Sequence, residues 1–534
     1  MSLVGRVGRK RPRARLAMAG VYLALVIGAI TTLYPFALMV STGLKGPTDQ
    51  NDNKLVPAYL REGAELSAKY LDDKYAGDKT MIASTRVGAD APALEVHRYE
   101  KFLMELPMEF WTAGFKTAPG QVTGRLQIRY QSWLRNRFRG DIEALNRTYT
   151  EEAVGFQTVV PPPELLERKT WAPSDTRKFK DWLEFKRSLP AEFRIPIRET
   201  RLWQEWVRGQ AQNQIKGVPP EYLGVATSFE TLSLPDGDST WFQRFIKAAV
   251  PARYSEGAAE SRWYRSASAD VRKRRYAFHM APWLFASTDE PRLPIVAFEK
   301  THVARHAAEI RSEFSRRNFS YVLDYILING RAVFNTFAFC ALAVLTQLIV
   351  NPLAAYALSR YPVKQSGKIL IFLLATMAFP AEVAMIPSFL LLRDLGLLNT
   401  FAALVLPVAA SGYMIFLLKG FFDSLPQELF EAGSLDGAPE TVMMTRIALP
   451  LSLPVMGYLA LVAFMGAYGS FLYAFLVIQD QRMWTLMVWV YQLQNTAPRA
   501  VMMAALTLAA LPTLLVFLMA QKAIVRGIVL PGER

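Results

Sequence analysis

Six stretches of the chain lack the short-range mixing of apolar and polar residues that a soluble fold shows. Residues 16–40, 332–359, 400–418 and 500–521 carry no charge, residues 369–392 carry only Glu382, and residues 447–479 are uncharged. Each reaches or approaches the roughly 20 apolar residues that cross a bilayer as a helix. The pattern predicts six transmembrane helices, one near the N-terminus and five after residue 331, the fifth near 453–478. The first run is longer than the roughly 7–15-residue apolar core of a cleaved signal peptide, and no Ala-x-Ala site follows it. It reads as a retained anchor.

Lys and Arg near the span ends set the orientation. Arg6, Arg9, Lys10, Arg11, Arg13 and Arg15 precede the first span with no acid among them. Arg360, Lys364 and Lys368 fill the loop between the second and third spans, and Lys522, Arg526 and Arg534 follow the sixth. With six spans these segments share one side, so both termini are expected in the cytoplasm. The expected fold is all-α. Residues 1–15 form a basic cytoplasmic N-terminus, 16–40 the first helix, 41–330 a large, mostly helical extracytoplasmic insert, and 331–534 a membrane core. A cytoplasmic loop at 419–450 joins the fourth and fifth spans.

Composition changes the picture in two places. The net charge of +15 does not point to nucleic acid, because residues 41–330 hold 43 Lys and Arg against 37 Asp and Glu, mixed rather than clustered. Cys340, the sole cysteine, falls in the second span, so the insert is expected to stand by core packing alone.

The loop between the fourth and fifth spans is the most informative polar segment. Ser424-Leu-Pro-Gln427 reads as a capping box opening a short helix from Gln427 through Ala432. Asp436-Gly437 ends that helix, because glycine accepts the left-handed conformation a helix terminus needs. Pro439 suits the first turn of the helix that climbs through Ile447, Leu449 and Pro450. Leu429, Phe430, Ala432 and Leu435 offer apolar contact. Helices that rest on lipid headgroups are rich in Lys and Arg on the polar face. Here Asp423, Glu428, Glu431, Asp436 and Glu440 occur with no base between Lys419 and Arg446. The loop is built to meet a protein with basic groups.

Glu431-Ala432, then Gly437, then Ile447-x-Leu449-Pro450 resembles the signature loop of binding-protein-dependent ABC importer permeases. "LPQELFEAGSLDGA" is similar to the maltose-type carbohydrate subfamily, and "NTFAFCALAVLTQLIVNPLAAYALSRYPV", "IPSFLLLRDLGLLNT" and "FLLKGFFDSLPQELFEA" stand in the family's order. "LYPFALMVSTGLK" resembles the end of its first helix. The resemblance implies a six-helix permease subunit with no cofactor. Its partners would be an ABC ATPase dimer, a second homologous permease and an extracytoplasmic substrate-binding protein, all around a lipid bilayer. The short loop helix would be a coupling helix. Glu428, Glu431, Ala432, Asp436, Gly437, Ile447, Leu449 and Pro450 would form the ATPase-coupling segment, with Glu431 pairing with a base on the ATPase. No G-x-x-x-x-G-K-[ST] phosphate loop occurs in the chain, so ATP chemistry must come from the partner.

Two positions depart from the family. Gly433 stands where alanine is usual, and Tyr468-Gly469-Ser470-Phe471 replaces a Trp-Asn-polar-Phe pattern. Tyr468 and Ser470, with Glu382, Gln347 and Asn351, are the polar candidates for lining a pathway, since polar groups within spans are costly. For Gln347 and Asn351 an interhelical hydrogen bond is the competing role, and for Glu382 a place at the outer interface.

The insert shows internal similarity. "FLMELPMEF", "FKRSLPAEF" and "FIKAAVPARY" share an aromatic, an apolar-Pro step and a second aromatic, and "YTEEAVGFQTVVP" matches "YLGVATSFETLSLP". Imperfect, mostly helical tandem units are expected. Residues 130–164 resemble a stretch of some family 42 β-galactosidases that includes no catalytic acid, and an enzyme would need a carboxylate pair in a cleft. The nine insert tryptophans at 111, 133, 171, 182, 203, 206, 241, 263 and 283 suit sugar stacking or, more commonly, a core. His302 and His306 fall on one helix face near Glu299 and Glu309, which is too few ligands for a metal site. The alternative to a permease is therefore a membrane-tethered glycan-processing enzyme with the insert as its catalytic or glycan-binding unit.

Overall fold

The computed structural model describes residues 12–527 apart from 47, 87–90, 116–123, 154, 236–238, 256, 267–292, 326–330, 362–363 and 377–379. Arg6, Arg9, Lys10, Arg11, Trp283 and Arg534 lie outside the described residues. The chain divides into two compact units, residues 1–321 with 497–501 and residues 322–496 with 502–534.

The first unit begins with α1 (Pro12–Gly43), which is apolar along almost its whole length. Beyond it the chain folds one pattern three times. An opening helix, α2 (Gly63–Lys74), is followed by α3 (Lys79–Arg86), α4 (Ala93–Glu105) and a strand β1 (Trp111–Ala113). The second copy runs through α5 (Arg125–Arg137), α6 (Ile142–Tyr149), α7 (Arg177–Arg187) and β2 (Arg194–Pro196). The third runs through α8 (Glu199–Gln210), α9 (Pro220–Leu223) and α10 (Thr240–Ala248).

Each opening helix ends in two consecutive left-handed residues: Ala76 and Gly77, Arg139 and Gly140, Gln212 and Asn213. Each last helix ends at an apolar-Pro step. Pro107, Pro190 and Pro251 then precede the 3₁₀ turns Met108–Phe110, Ala191–Phe193 and Ala252–Tyr254. Proline, with φ preset and no N–H to satisfy, suits that junction. The closing aromatics Phe110, Phe193 and Tyr254 are buried. Equivalent glutamines brace the second and third copies. Gln131 donates to the carbonyls of Gln157 and Val159 at 2.8 and 3.1 Å, and Gln204 to those of Glu230 and Leu232 at 3.1 and 2.9 Å.

β1 and β2 pair antiparallel, with Trp111 opposite Pro196 and Ala113 opposite Arg194, and so join the first two copies. The shared core is aromatic, with Tyr59, Tyr70, Trp111, Tyr130, Trp182, Trp203, Phe245 and Tyr254 at its centre. α11 (Ala259–Ser266), α12 (Ile295–Arg305) and α13 (Ala307–Leu323) complete the unit. Asn318 of α13 donates to the carbonyls of Gly43, the last residue of α1, and of Lys45 beyond it, so residues near both ends of the 41–330 segment meet.

The second unit holds α14 (Ala332–Arg360), α15 (Ser366–Thr376), α16 (Ala381–Asp394), α17 (Phe401–Val405), α18 (Gly412–Asp423), α19 (Gln427–Leu435), α20 (Glu440–Met443), α21 (Leu449–Gly469), α22 (Leu472–Val477), α23 (Leu486–Thr496) and most of α24 (Arg499–Gly527). α14 packs on α18 and α21 around a core of Ala355, Tyr356, Leu418, Phe422, Phe430, Leu459 and Ala463. Its other face exposes Phe334, Phe337, Leu345 and Ile349, as a helix bathed in acyl chains would.

Single long helices account for only part of the six expected spans. Among the described residues four helices are long and apolar enough to cross a bilayer: Met18–Gly43, Ala332–Arg360, Glu440–Gly469 and Arg499–Gln521. A fifth is available if Phe401–Val408 and Gly412–Asp423, bent by 48°, count as one span. The run at 369–392 is delivered as two short helices, α15 and α16, and Pro380 precedes the second. The fifth expected span, 453–478, instead belongs to a helix that starts at Glu440 and ends at Gly469. The chain breaks at Ser470 and resumes as α22, so Gly469-Ser470 rather than the end of the apolar run stops the helix.

Candidate functional site

The loop between α18 and α21 is built by its own termini. Ser424 does not cap α19. Its hydroxyl donates back to the Phe421 carbonyl at 2.7 Å and so closes α18, while Pro426 precedes α19 without a side-chain cap. The capping-box expectation fails because the hydroxyl finds a nearer acceptor in the last turn of the preceding helix. α19 runs on to Leu435, one turn further than expected. Gly437, at φ +73°, then ends it. The Gly437 N–H bonds the Ser434 carbonyl at 3.1 Å and the Ala438 N–H bonds the Gly433 carbonyl at 3.0 Å. This is the Schellman arrangement, which satisfies carbonyls the helix end would otherwise strand. Pro439 sits at the N-cap of α20. A π-helical turn, Met444–Ala448, leads into α21 and contains Ile447; Leu449 and Pro450 open α21.

The five acids separate into two sets. Asp423 receives Ser359 at 2.6 Å and Lys419 at 2.6 Å, and Glu440 receives the Tyr356 hydroxyl at 2.8 Å, so both serve the loop's own anchorage. Glu428, Glu431 and Asp436 stand exposed beside Ala432. Leu435 is 89% exposed and Leu429 41% exposed, while Phe430 turns inward. The short helix thus exposes two leucines beside three carboxylates. Gly433 faces inward too. A Cβ there would meet Ile447 Cδ1 and Met443 at 3.5 Å, ordinary contact, so the family's usual alanine would fit.

Sequence reasoning missed the two residues that hold this loop. The Arg360 guanidinium lies 3.6 Å from the Phe430 ring centroid and donates to the Phe422 carbonyl at 2.6 Å. Tyr356, one turn earlier on α14, packs its ring against Phe422 and Phe430. The only signal was their i, i+4 spacing at the end of an apolar helix.

The pathway candidates fall on α14, in the first turn of α16 and at the end of α21. Gln347 and Asn351 lie together and buried on α14. The Asn351 amide donates to the Gln347 carbonyl at 2.9 Å and its oxygen accepts from the Ser411 N–H at 2.8 Å, which serves the break ahead of α18. Tyr468 is buried with its hydroxyl on the Ala509 carbonyl, Ser470 is half-buried at the end of α21, and Glu382 is exposed in the first turn of α16.

In the first unit, Trp111, Trp182, Trp203 and Trp263 are fully buried core residues, and Trp133, Trp171, Trp206 and Trp241 pack partly buried against the core. Nor do the expected histidine neighbours assemble. His302 bonds Glu192 at 2.6 Å, Glu299 receives Lys74 at 2.5 Å, and Glu309 is exposed. Burial works against the Glu192 carboxylate, but the His302 ring and the Arg125 guanidinium more than offset it and hold its pKa down to about 2. Among the described residues no group of three or more His, Cys, Asp or Glu is placed to hold a metal.

Long apolar helices with one short, acidic helix exposed between two of them mark a multi-pass membrane protein. A family model for the binding-protein-dependent transport system inner membrane component matches residues 351–530, which include that loop. The trehalose/maltose transport system permease protein MalG of Thermococcus litoralis is 34% identical over 199 residues, 36% of this chain and 72% of that protein. The sn-glycerol-3-phosphate transport system permease protein UgpE of Rhizobium meliloti is 31% identical over 205 residues, 37% of this chain and 72% of that protein. Curated relatives are matched over about two thirds to four fifths of their own lengths. A solved bacterial ABC transporter involved in the import of the acidic polysaccharide alginate aligns with 38% of this chain and 78% of its own, at 24% identity and a TM-score of 0.35. The chain belongs to the family of binding-protein-dependent transport system inner membrane components. It is a multi-pass permease subunit, not an enzyme, and the ATPase of such a system is a separate subunit.

Proposed function

We propose that the protein is the permease subunit of an ATP-driven importer for a carbohydrate delivered by an external binding protein. It would work with an ABC ATPase dimer and a second homologous permease in a bacterial inner membrane. Six crossings would set both termini and the loop at 419–450 in the cytoplasm, with α15 and α16 sharing one crossing. The insert would then stand outside. The trehalose/maltose transport activity named for MalG supports the substrate class.

The observation that carries the reading is the divided loop. Phe430, Asp423 and Glu440 hold it to the membrane core, while Glu428, Glu431, Ala432, Asp436 and Leu435 present a leucine-and-carboxylate face. Closure of an ATPase dimer can drive the permease only if it grips such a face differently in its open and closed states. Glu431→Ala tests this. In proteoliposomes holding the whole importer, uptake should fall while the binding protein still docks, because removing one partner of a desolvated charge pair costs about 2–5 kcal/mol. Full co-purification of the ATPase together with normal transport would leave Glu431 a surface acid.

A further inference from the structure

The loop is held unequally on its two sides. Toward α14 the attachment is polar and specific. One guanidinium, Arg360, bridges three helices: it ends α14, covers the Phe430 ring of α19 and caps a carbonyl in the last turn of α18. The stacked cation and the carbonyl at a helix C-terminus both favour positive charge at that point. Tyr356 adds a second bond to Glu440 at the start of α20. A lysine could not reproduce this, because it lacks the planar fork that stacks and donates at once.

Toward α21 the regular helix ladder is interrupted. Pro450 has no N–H for the Arg446 carbonyl, and in a regular α-turn its ring would press on that carbonyl. The backbone widens into the π turn Met444–Ala448 immediately before it. Pro454 removes the next donor on the same strip, one turn deeper in α21. Two successive turns at the entry of this span have therefore lost regular backbone bonds.

We infer that Arg360 and Tyr356 are positioning residues that weld α19 and the start of α20 to the end of α14. Displacement of the exposed α19 face then passes into α14, while α21 yields at Met444–Ala448. The inference rests on the reading of the loop as the coupling element, and its test separates the two.

The test uses the complete importer in proteoliposomes, with spin-label pairs at Thr441 and Leu353 across the weld and at Thr441 and Leu453 across the π turn. On ATP binding the first distance should hold and the second should shift. With Arg360→Ala the first distribution should broaden, and substrate moved per ATP should fall about tenfold, a change of about 1.4 kcal/mol in coupling. The ATPase should still co-purify, because the exposed acids are untouched. Arg360→Lys should not rescue. Tyr356→Phe keeps the ring and removes only the bond to Glu440, so it carries the test if Arg360→Ala fails to assemble; its effect should have the same direction and be smaller. A first distance that changes with ATP in the unsubstituted protein overturns the weld, as does normal transport per ATP in both variants. Failure of the unsubstituted protein to bind any ATPase would instead sink the coupling reading beneath it.

Discussion

Lys186 shows how single residues hold the insert together without a disulfide. Its ammonium is fully buried and satisfied by Glu164 at 2.7 Å and by the carbonyls of Met108 and Trp111 at 2.8 and 2.7 Å. It also lies 4.5 Å from the Trp111 ring centroid. A buried charge is tolerable only when so fully paired. Lys186→Met would leave the Glu164 carboxylate buried and alone, and should destabilise the first unit by about 3–5 kcal/mol. Adding Glu164→Leu should recover most of that loss, since an apolar pair in place of a buried ion pair is often neutral. Denaturant titration of the full-length protein in detergent, followed by tryptophan fluorescence, would measure both. A double variant no better than the single one would mean that Lys186 matters for its packing rather than its charge.

At the scale of elements, Gly412 decides how α15 meets α18. A Cβ there would stand 2.3 Å from the Leu373 carbonyl oxygen, a backbone atom that cannot swing aside. Glycine lets the two helices touch, as small residues do at membrane helix interfaces. Gly412→Ala should cost about 1–3 kcal/mol, the usual penalty for overpacking. It should appear as a lower melting temperature in detergent with the ATPase still bound. Gly433→Ala is the built-in control, because its methyl group meets only ordinary contacts and it should leave the melting temperature unchanged or slightly raised. The two glycines look alike in the sequence and differ only in what lies opposite them.

For the whole molecule, we propose that residues 41–330 form an insert between the first two spans. The expectation is that it stands where an external binding protein must dock. The three successive stretches of short helices bury their aromatics in one common core. A segment packed in this way suits a docking platform or substrate-collecting antenna better than a mobile tether. Deleting residues 50–318 and joining the ends with a short linker should leave ATPase assembly intact and sharply weaken binding-protein-dependent uptake. Uptake at the full-length level would make the insert a decoration.

Much of this architecture was legible along the chain. The uncharged runs marked the apolar helices, because backbone in hydrocarbon must satisfy itself within the segment. Asp436-Gly437 marked the end of α19, because a left-handed residue there is a local requirement met by glycine. The apolar-Pro-aromatic phrases marked the repeat junctions for the same local reason. What the chain did not disclose depended on which partner each side chain met in the packed molecule. Ser424 closes α18 instead of opening α19 because Phe421 is the nearer acceptor in three dimensions. Of five loop acids, Asp423 and Glu440 are anchors and the others a face, and only the position of α14 separates them. Arg360 read as one more base at a span end, yet it closes over Phe430 across the helix interface. Local signals follow from the bonding needs of neighbouring residues and survive in the sequence. The role of a long side chain is decided by which surface folds against it, and that is a property of the packed molecule.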